Sequence, residues 1–298
     1  MRMSLKDWLT SDVEGLSAKE NFLLHQKRGR LLFTLGISFI IAGAALVVVS
    51  NVLFFAVLLP LGGVLVYLSQ KYDRKLFLDY KKLYLDPLLK EVFKGQAEII
   101  DRELPADTTV SSGLLLTDVA MECMGLISAR YKEIEALLAL QTNYQTVIGA
   151  EGEISYRYSF NGLLIRLITI EPSPCHVRLL SRKYPFKKLF DKPLRSLELT
   201  THLGKRFEFY ADKTGCTGLC VMLGEALEQI AVHFKNRALA LDWNGNNLFI
   251  AIEDSNGLNP IAVPQRGGDK KYTESARQAV SMLTVPIDCL YGIITSIE

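Results

Sequence analysis

Four groups of residues in this chain combine types and spacings that chemistry can use. Cys216 and Cys220 lie four apart at the start of an expected helix, so both thiols can face one way toward a metal ion. His233 is several turns further along that helix and cannot complete the set without a sharp bend. A structural zinc site wants four ligands in closer pairs, so small core residues are the expected role of the two cysteines. Cys175 and His176 are neighbours in Pro172-Ser-Pro-Cys-His176, a loop. A cysteine nucleophile needs a base within reach and a third group to orient that base, and adjacent residues rarely point at each other. Arg266-Gly-Gly-Asp-Lys-Lys271 sets glycines and cations before a helix start, where a phosphate can sit. The spacing is not Gly-x-x-x-x-Gly-Lys-Ser/Thr, so a solvated hinge is expected and any ligand is left open. Glu225 and Glu228 are three apart, but no His-Glu-x-x-His surrounds them, and a solvated face is expected. No catalytic, cofactor-binding or metal-ligating residue is assigned, and no cofactor is expected.

The elements that carry these residues begin with a membrane anchor. Between Arg30 and Lys71 the sequence contains no charged residue. A bilayer core of about 30 Å needs roughly 20 helical residues, and 31–50 and 52–68 each come close, with Ser50-Asn51 between them. Two antiparallel transmembrane helices are therefore expected over 31–69. Lys27, Arg28 and Arg30 precede the pair, and Lys71, Arg74, Lys75, Lys81 and Lys82 follow it. The positive-inside tendency then puts both termini in the cytoplasm. Gly43, Ala44, Ala45, Gly62 and Gly63 suit close helix approach, with Gly62 and Gly63 falling opposite Phe39 and Ile40. Pro60 is expected to kink the second helix. Neither span holds an ionisable group, which argues against a proton or ion pathway built from the hairpin alone.

Residues 1–30 read as a short helical cytoplasmic lead, with capping-box spacing at Ser17-Ala-Lys-Glu20. Leu76, Tyr80, Leu83 and Tyr84 recur at helical spacing, so a stalk and linker are expected over 70–112, interrupted at Asp86-Pro87. The α+β domain then occupies 113–298. Residues 114–145 are ambiguous between helix and strand. Tyr156–Ile170 reads as strand with a turn near Asn161-Gly162, and Ser196–Thr201 and Phe207–Tyr210 as further strands. Leu219, Met222, Leu223, Ala226, Leu227, Ile230 and Phe234 form one helical face. A hairpin follows around Asn244-Gly245, pairing Leu241 with Leu248 and Leu239 with Ile250. Helices 273–283 and 287–297 are expected on either side of Pro286. The fold class is α+β: a transmembrane hairpin and stalk, then a cytosolic domain of mixed antiparallel sheet and helix.

Composition narrows the function classes. Apolar residues make up 49% and charged residues 22%, near soluble averages, while the mean hydropathy of +0.18 requires a local apolar concentration. A net charge of +2 supplies no field for nucleic acid, which is not expected as a partner. Five cysteines without framework spacing fit a reduced compartment rather than a disulfide-stapled domain.

Phe207-Glu-Phe-Tyr-Ala-Asp212, the helix through Leu227, and Asn247-Leu-Phe-Ile-Ala-Ile252 resemble the C-terminal block of a bacterial family, Domain of Unknown Function 3137. Tyr158-Ser-Phe-Asn-Gly-Leu-Leu-Ile165 is similar to that family's aromatic-x-Gly-Leu strand, and the N-terminal helix pair with its stalk is similar too. Residues 171–195 depart from the pattern. The resemblance implies an α+β domain on the cytosolic side of a bacterial inner membrane and a strand reading of 124–145. It offers no catalytic residues, and its gene context implies a LemA-type membrane protein as partner. The reading is a non-enzymatic, membrane-anchored interaction or scaffold module whose partners are the lipid bilayer, a membrane or cytosolic protein, and further copies of itself. The alternatives are a membrane-surface enzyme acting on a phosphate-bearing or lipid substrate, and a subunit of an oligomeric transport or pore complex.

Overall fold

The computed structural model describes residues 17–50, 57–104, 114, 120–148, 153–182, 194–198, 202–253 and 269–296. The expected hairpin turn at Asn51 lies outside them, as do the N-terminal lead before Ser17 and residues 254–268. The chain divides into two compact units, Met1–Leu88 with Ala262–Arg277, and Leu89–Ile261 with Gln278–Glu298.

The described residues of the first unit are helical. Helix α1 (Ala18–Ser50) starts on the expected capping box. The Ser17 N–H and hydroxyl both donate to Glu20 Oε2 at 2.8 Å, and the Glu20 N–H donates to Ser17 Oγ at 3.3 Å. These bonds satisfy amides that a helix start leaves open. Residues 18–30 of the expected lead are the first turns of α1, which runs on into the apolar stretch. Helix α2 (Leu58–Tyr80) packs against α1. A Cβ on Gly62 would stand 2.6 Å from the Gly36 carbonyl oxygen and 2.6 Å from Ile40 Cγ1. The expected neighbour Ile40 is there, and among the described residues a backbone-to-backbone contact falls at Gly36 and Gly62.

Asp86-Pro87 does not interrupt the stalk. After α2 the helix widens into a π segment (Lys81–Leu85) and continues as α3 (Asp86–Val92). The Asp86 N–H reaches back five residues to the Lys81 carbonyl. That wider turn accommodates a proline, which supplies no N–H and crowds the carbonyl four residues before it. The helix ends on Lys94 and Gly95, at φ 51° and 79°.

Among the described residues, the second unit is built on a nine-stranded antiparallel sheet. Its strands are β1 (Ala97–Glu103), β2 (Ala120–Tyr131), β3 (Ile134–Ile148), β4 (Ile154–Ile168) and β5 (Val177–Ser181), then β6 (Arg195–Leu197), β7 (Phe207–Ala211), β8 (Leu239–Asn244) and β9 (Asn247–Glu253). The order across the sheet is β1-β2-β3-β4-β9-β8-β5-β7-β6. The sheet thus begins at Ala97, upstream of the expected boundary at 113. Residues 120–148 are strand, and the β2–β3 turn is Lys132-Glu133, both at positive φ (50° and 68°).

Asn161-Gly162 is not a turn. Gly162 lies in the middle of β4, where a Cβ would stand 2.0 Å from the Ile252 carbonyl oxygen of β9. The glycine is there for close approach of two backbones. The β8–β9 hairpin turns on Gly245-Asn246, with Gly245 alone at positive φ (56°), which matches a type II′ turn rather than I′. The pairs are Leu241 with Ile250 and Leu239 with Ile252. A turn displaced by one residue moves the register by two, so the same side chains still share a face.

Helix α4 (His202–Arg206) precedes β7, and helix α5 (Thr217–His233) lies over the sheet. Leu219, Leu223, Ala226, Leu227 and Ile230 are buried beneath it as expected, but Met222 is exposed. A Cβ on Gly224 would meet Phe209 at 3.1 Å, so small size there lets α5 sit close to β7. Helix α6 (Asp269–Thr295) is continuous through Pro286. The buried Leu283, Ile287 and Leu290 on either side hold the helix through a proline expected to end it.

Candidate functional site

Among the described residues, three helices are long and apolar enough to cross a membrane: 18–46 within α1, 214–233 around α5, and α6. Their surroundings differ. The α5 and α6 segments are about half buried within the protein, at 50% and 44%, against 22% for the α1 segment. Leu31, Phe33, Leu35, Ile37 and Ile41 of α1 are exposed, and so are Leu59, Leu61, Val64 and Tyr67 of α2. An exposed apolar band of this extent marks a surface that water does not solvate.

Below that band, the first unit holds a buried aromatic cluster. Phe22 of α1 meets Tyr272 of α6 edge-on at 5.1 Å and Tyr84 at 5.7 Å, and Tyr84 stacks on Tyr80 at 5.7 Å. The Tyr272 hydroxyl donates to Gln26 Oε1. Lys19 pairs with Asp269 at 3.1 Å and lies 5.2 Å from the centre of the Tyr84 ring. Lys19 and the Tyr84 hydroxyl hold the Asp269 carboxyl below its usual range. Burial, then Asp269, push the Tyr84 phenol well above its own. The stalk face bearing Leu76, Tyr80 and Tyr84 is therefore occupied by the unit's own residues.

The second unit brings together two groups that the sequence kept apart. Cys175, just before β5, forms a disulfide with Cys216, 41 residues later, with Cα atoms 6.7 Å apart. This corrects the expectation of five reduced cysteines, and it separates Cys216 from Cys220, which is fully buried as a free thiol. Burial raises the Cys220 thiol to about 11, so it is inert. Asp212 lies beside the disulfide, with a carboxylate oxygen and the two sulfurs all within 4.8 Å of one another. Asp212 Oδ1 accepts the His176 N–H at 3.1 Å, and the Asp212 N–H donates to the His176 carbonyl at 3.1 Å. Lys213 Nζ donates to the Pro174 carbonyl at 2.9 Å.

His176 and Cys175 do point apart, as expected for neighbours. The His176 ring Nε2 is 2.9 Å from Asp242 Oδ1, and Arg178 Nε donates to the same oxygen at 2.6 Å. Arg178 and Asp242 are directly opposed on β5 and β8, and both are buried. Charged residues inside the runs Val177-Arg-Leu-Leu180 and Leu239-Ala-Leu-Asp-Trp243 were the sequence signal for this network.

The remaining candidates are held locally. Glu228 is ion-paired with Arg206, whose hydrogen bond holds its carboxyl below the usual range, and it faces His202 at 3.3 Å. Glu225 is exposed. Residues 266–268 lie outside the described residues, and Asp269, Lys270 and Lys271 form the first turn of α6.

No family model matches the chain, and no curated protein matches it. Among solved structures it is similar to the crystal structure of the mycobacterial trehalose monomycolate transport factor A, TtfA. The identity is 13% over 67% of this chain and 95% of that one, with a TM-score of 0.28. A likeness this weak carries no argument about what the chain does.

Proposed function

We propose that the chain is a membrane-anchored interaction module of the kind its resemblance to Domain of Unknown Function 3137 implies. Its α+β unit lies on the cytosolic side of a bacterial inner membrane and meets a protein partner there, a LemA-type membrane protein or another copy of the chain. One observation carries the anchoring: the band of exposed leucine, isoleucine, phenylalanine and valine side chains on the packed pair α1 and α2, in a stretch with no charge between Arg30 and Lys71. The basic flanks on both sides support the orientation. The non-enzymatic reading is supported by the positions of the chemically able groups, since Cys175 is buried with its sulfur bonded to Cys216 and the His176 ring is held by Asp242.

Topology tests the first half. In a cysteine-free background, Asn51→Cys should label from outside intact cells, whereas Arg2→Cys and Ser255→Cys should not. Labelling of Ser255→Cys in unbroken cells overturns the orientation. Capture in mild detergent tests the second half. A specific protein partner, retained when Cys175, His176, Cys216 and Cys220 are replaced by alanine in a folded domain, supports the module. A folded polar variant that keeps every partner and loses the cellular phenotype supports an enzyme instead.

A further inference from the structure

We infer that Cys175, Cys216 and Asp212 form a binding site for a thiophilic divalent cation, zinc being the best fit, whenever the disulfide is reduced. Three potential ligand atoms already stand within 4.8 Å of one another. Two thiolates and a carboxylate suit zinc, with bonds of about 2.0–2.3 Å, and leave a fourth tetrahedral position for water. Sulfurs about 3.8 Å apart complete that geometry, a small opening from a bonded pair whose Cα atoms are 6.7 Å apart.

The surroundings are set for ligation rather than for packing. Cys216 is the N-cap of α5, and its side chain makes no capping bond. A thiolate there meets the positive end of a 17-residue helix, which favours the charged form that metals bind. Asp212 is exposed, which gives a cation an entry path, and the His176 N–H orients its carboxylate from behind. The loop bearing Cys175 is pinned on two sides. The Ser173 hydroxyl donates to the Cys175 carbonyl at 2.6 Å, and Lys213 holds the Pro174 carbonyl. The Lys213 ammonium offsets the net negative charge of a dication held by two thiolates and a carboxylate.

The two states exclude each other. Two equivalents of a small thiol, of the glutathione class, supply the two electrons and two protons that turn the disulfide into two thiols, and leave as their own disulfide. Zinc binding then releases the two thiol protons. Oxidation by a disulfide of the same class reverses the sequence and expels the metal.

Full-length protein in detergent tests this with zinc and cobalt as probes. After reduction and removal of the reductant, the protein should take one zinc per chain against a chromogenic chelator. Cobalt should give a thiolate-to-cobalt charge-transfer band. Protein oxidised beforehand, with the same sequence, should take neither. Cys175→Ser and Cys216→Ser should abolish the band, Asp212→Asn should weaken zinc binding about tenfold or more, and Cys220→Ser should change nothing. Absence of stoichiometric zinc in the reduced protein, equal binding in the oxidised protein, or a band that survives Cys216→Ser each overturns the proposal.

Discussion

Gly36 and Gly62 bring the backbones of α1 and α2 together, so that a Cβ on Gly62 would stand 2.6 Å from the Gly36 carbonyl oxygen. Helices in lipid gain little from hydrophobic exclusion and associate through such close packing. Replacing Gly62 by isoleucine should push the helices apart by about 1–2 Å, within the 8–10 Å range of helix separations. Gly63→Ala, which meets nothing within 4 Å, should not. Pulsed spin-label distances between residues 34 and 64 in nanodiscs measure this. An unchanged distance in Gly62→Ile would show that the crossing lies elsewhere.

Gly245 opens the β8–β9 turn at φ 56°. A β-branched residue resists that conformation, so Gly245→Val should destabilise the α+β unit by about 1–3 kcal/mol. Chemical unfolding followed by Trp243 fluorescence reads it, because that side chain is fully buried. An unshifted midpoint would mean that the turn tolerates valine.

Glycine and proline account for several of the features that the sequence concealed. Ser17-Glu20 and the apolar face of α5 were legible because capping and amphipathicity depend on near neighbours. Pro87, Pro286 and Gly162 were read as breaks because breaking is their usual local effect. In the fold, a π segment absorbs Pro87, buried neighbours carry α6 past Pro286, and Gly162 makes room for Ile252 of another strand. The β2–β3 hairpin stayed ambiguous because Lys132-Glu133 adopts positive φ without the Asn or Gly that announces such a turn. Cys175 and Cys216 meet only because β5 and β7 pair, a contact 41 residues long in sequence that no spacing encodes.

His233 faces Ser281 of α6 at 3.3 Å, and burial lowers its pKa from the usual 6.5. The neutral ring is thus favoured in the fold. Above about pH 6.5 both states are neutral and the residue adds no pH dependence. As pH falls from there to the folded pKa, the unfolded chain takes up the proton first and stability is lost. Glu228, also lowered, acts in the more acidic carboxylate window. Melting should therefore fall between pH 7.5 and 5.5, and His233→Asn should flatten that fall. Equal slopes in the two proteins would remove His233 from the account.

Asp242 receives both Arg178 and the His176 ring on a single oxygen, with about 2% of its surface exposed. Removing the carboxylate takes away the buried acceptor that Arg178 Nε and the His176 ring share. Asp242→Ala should therefore cost about 3–5 kcal/mol. The double variant Asp242→Leu with Arg178→Met removes both charges while keeping volume, and it should recover most of that loss, since well-packed apolar replacements of buried ion pairs are often neutral. Urea midpoints of the wild type, the single variant and the double variant separate the cases. If the single variant costs under about 1 kcal/mol, the network is solvated rather than buried. If the double variant costs as much as the single one, the strands need the charges themselves and not merely their mutual compensation.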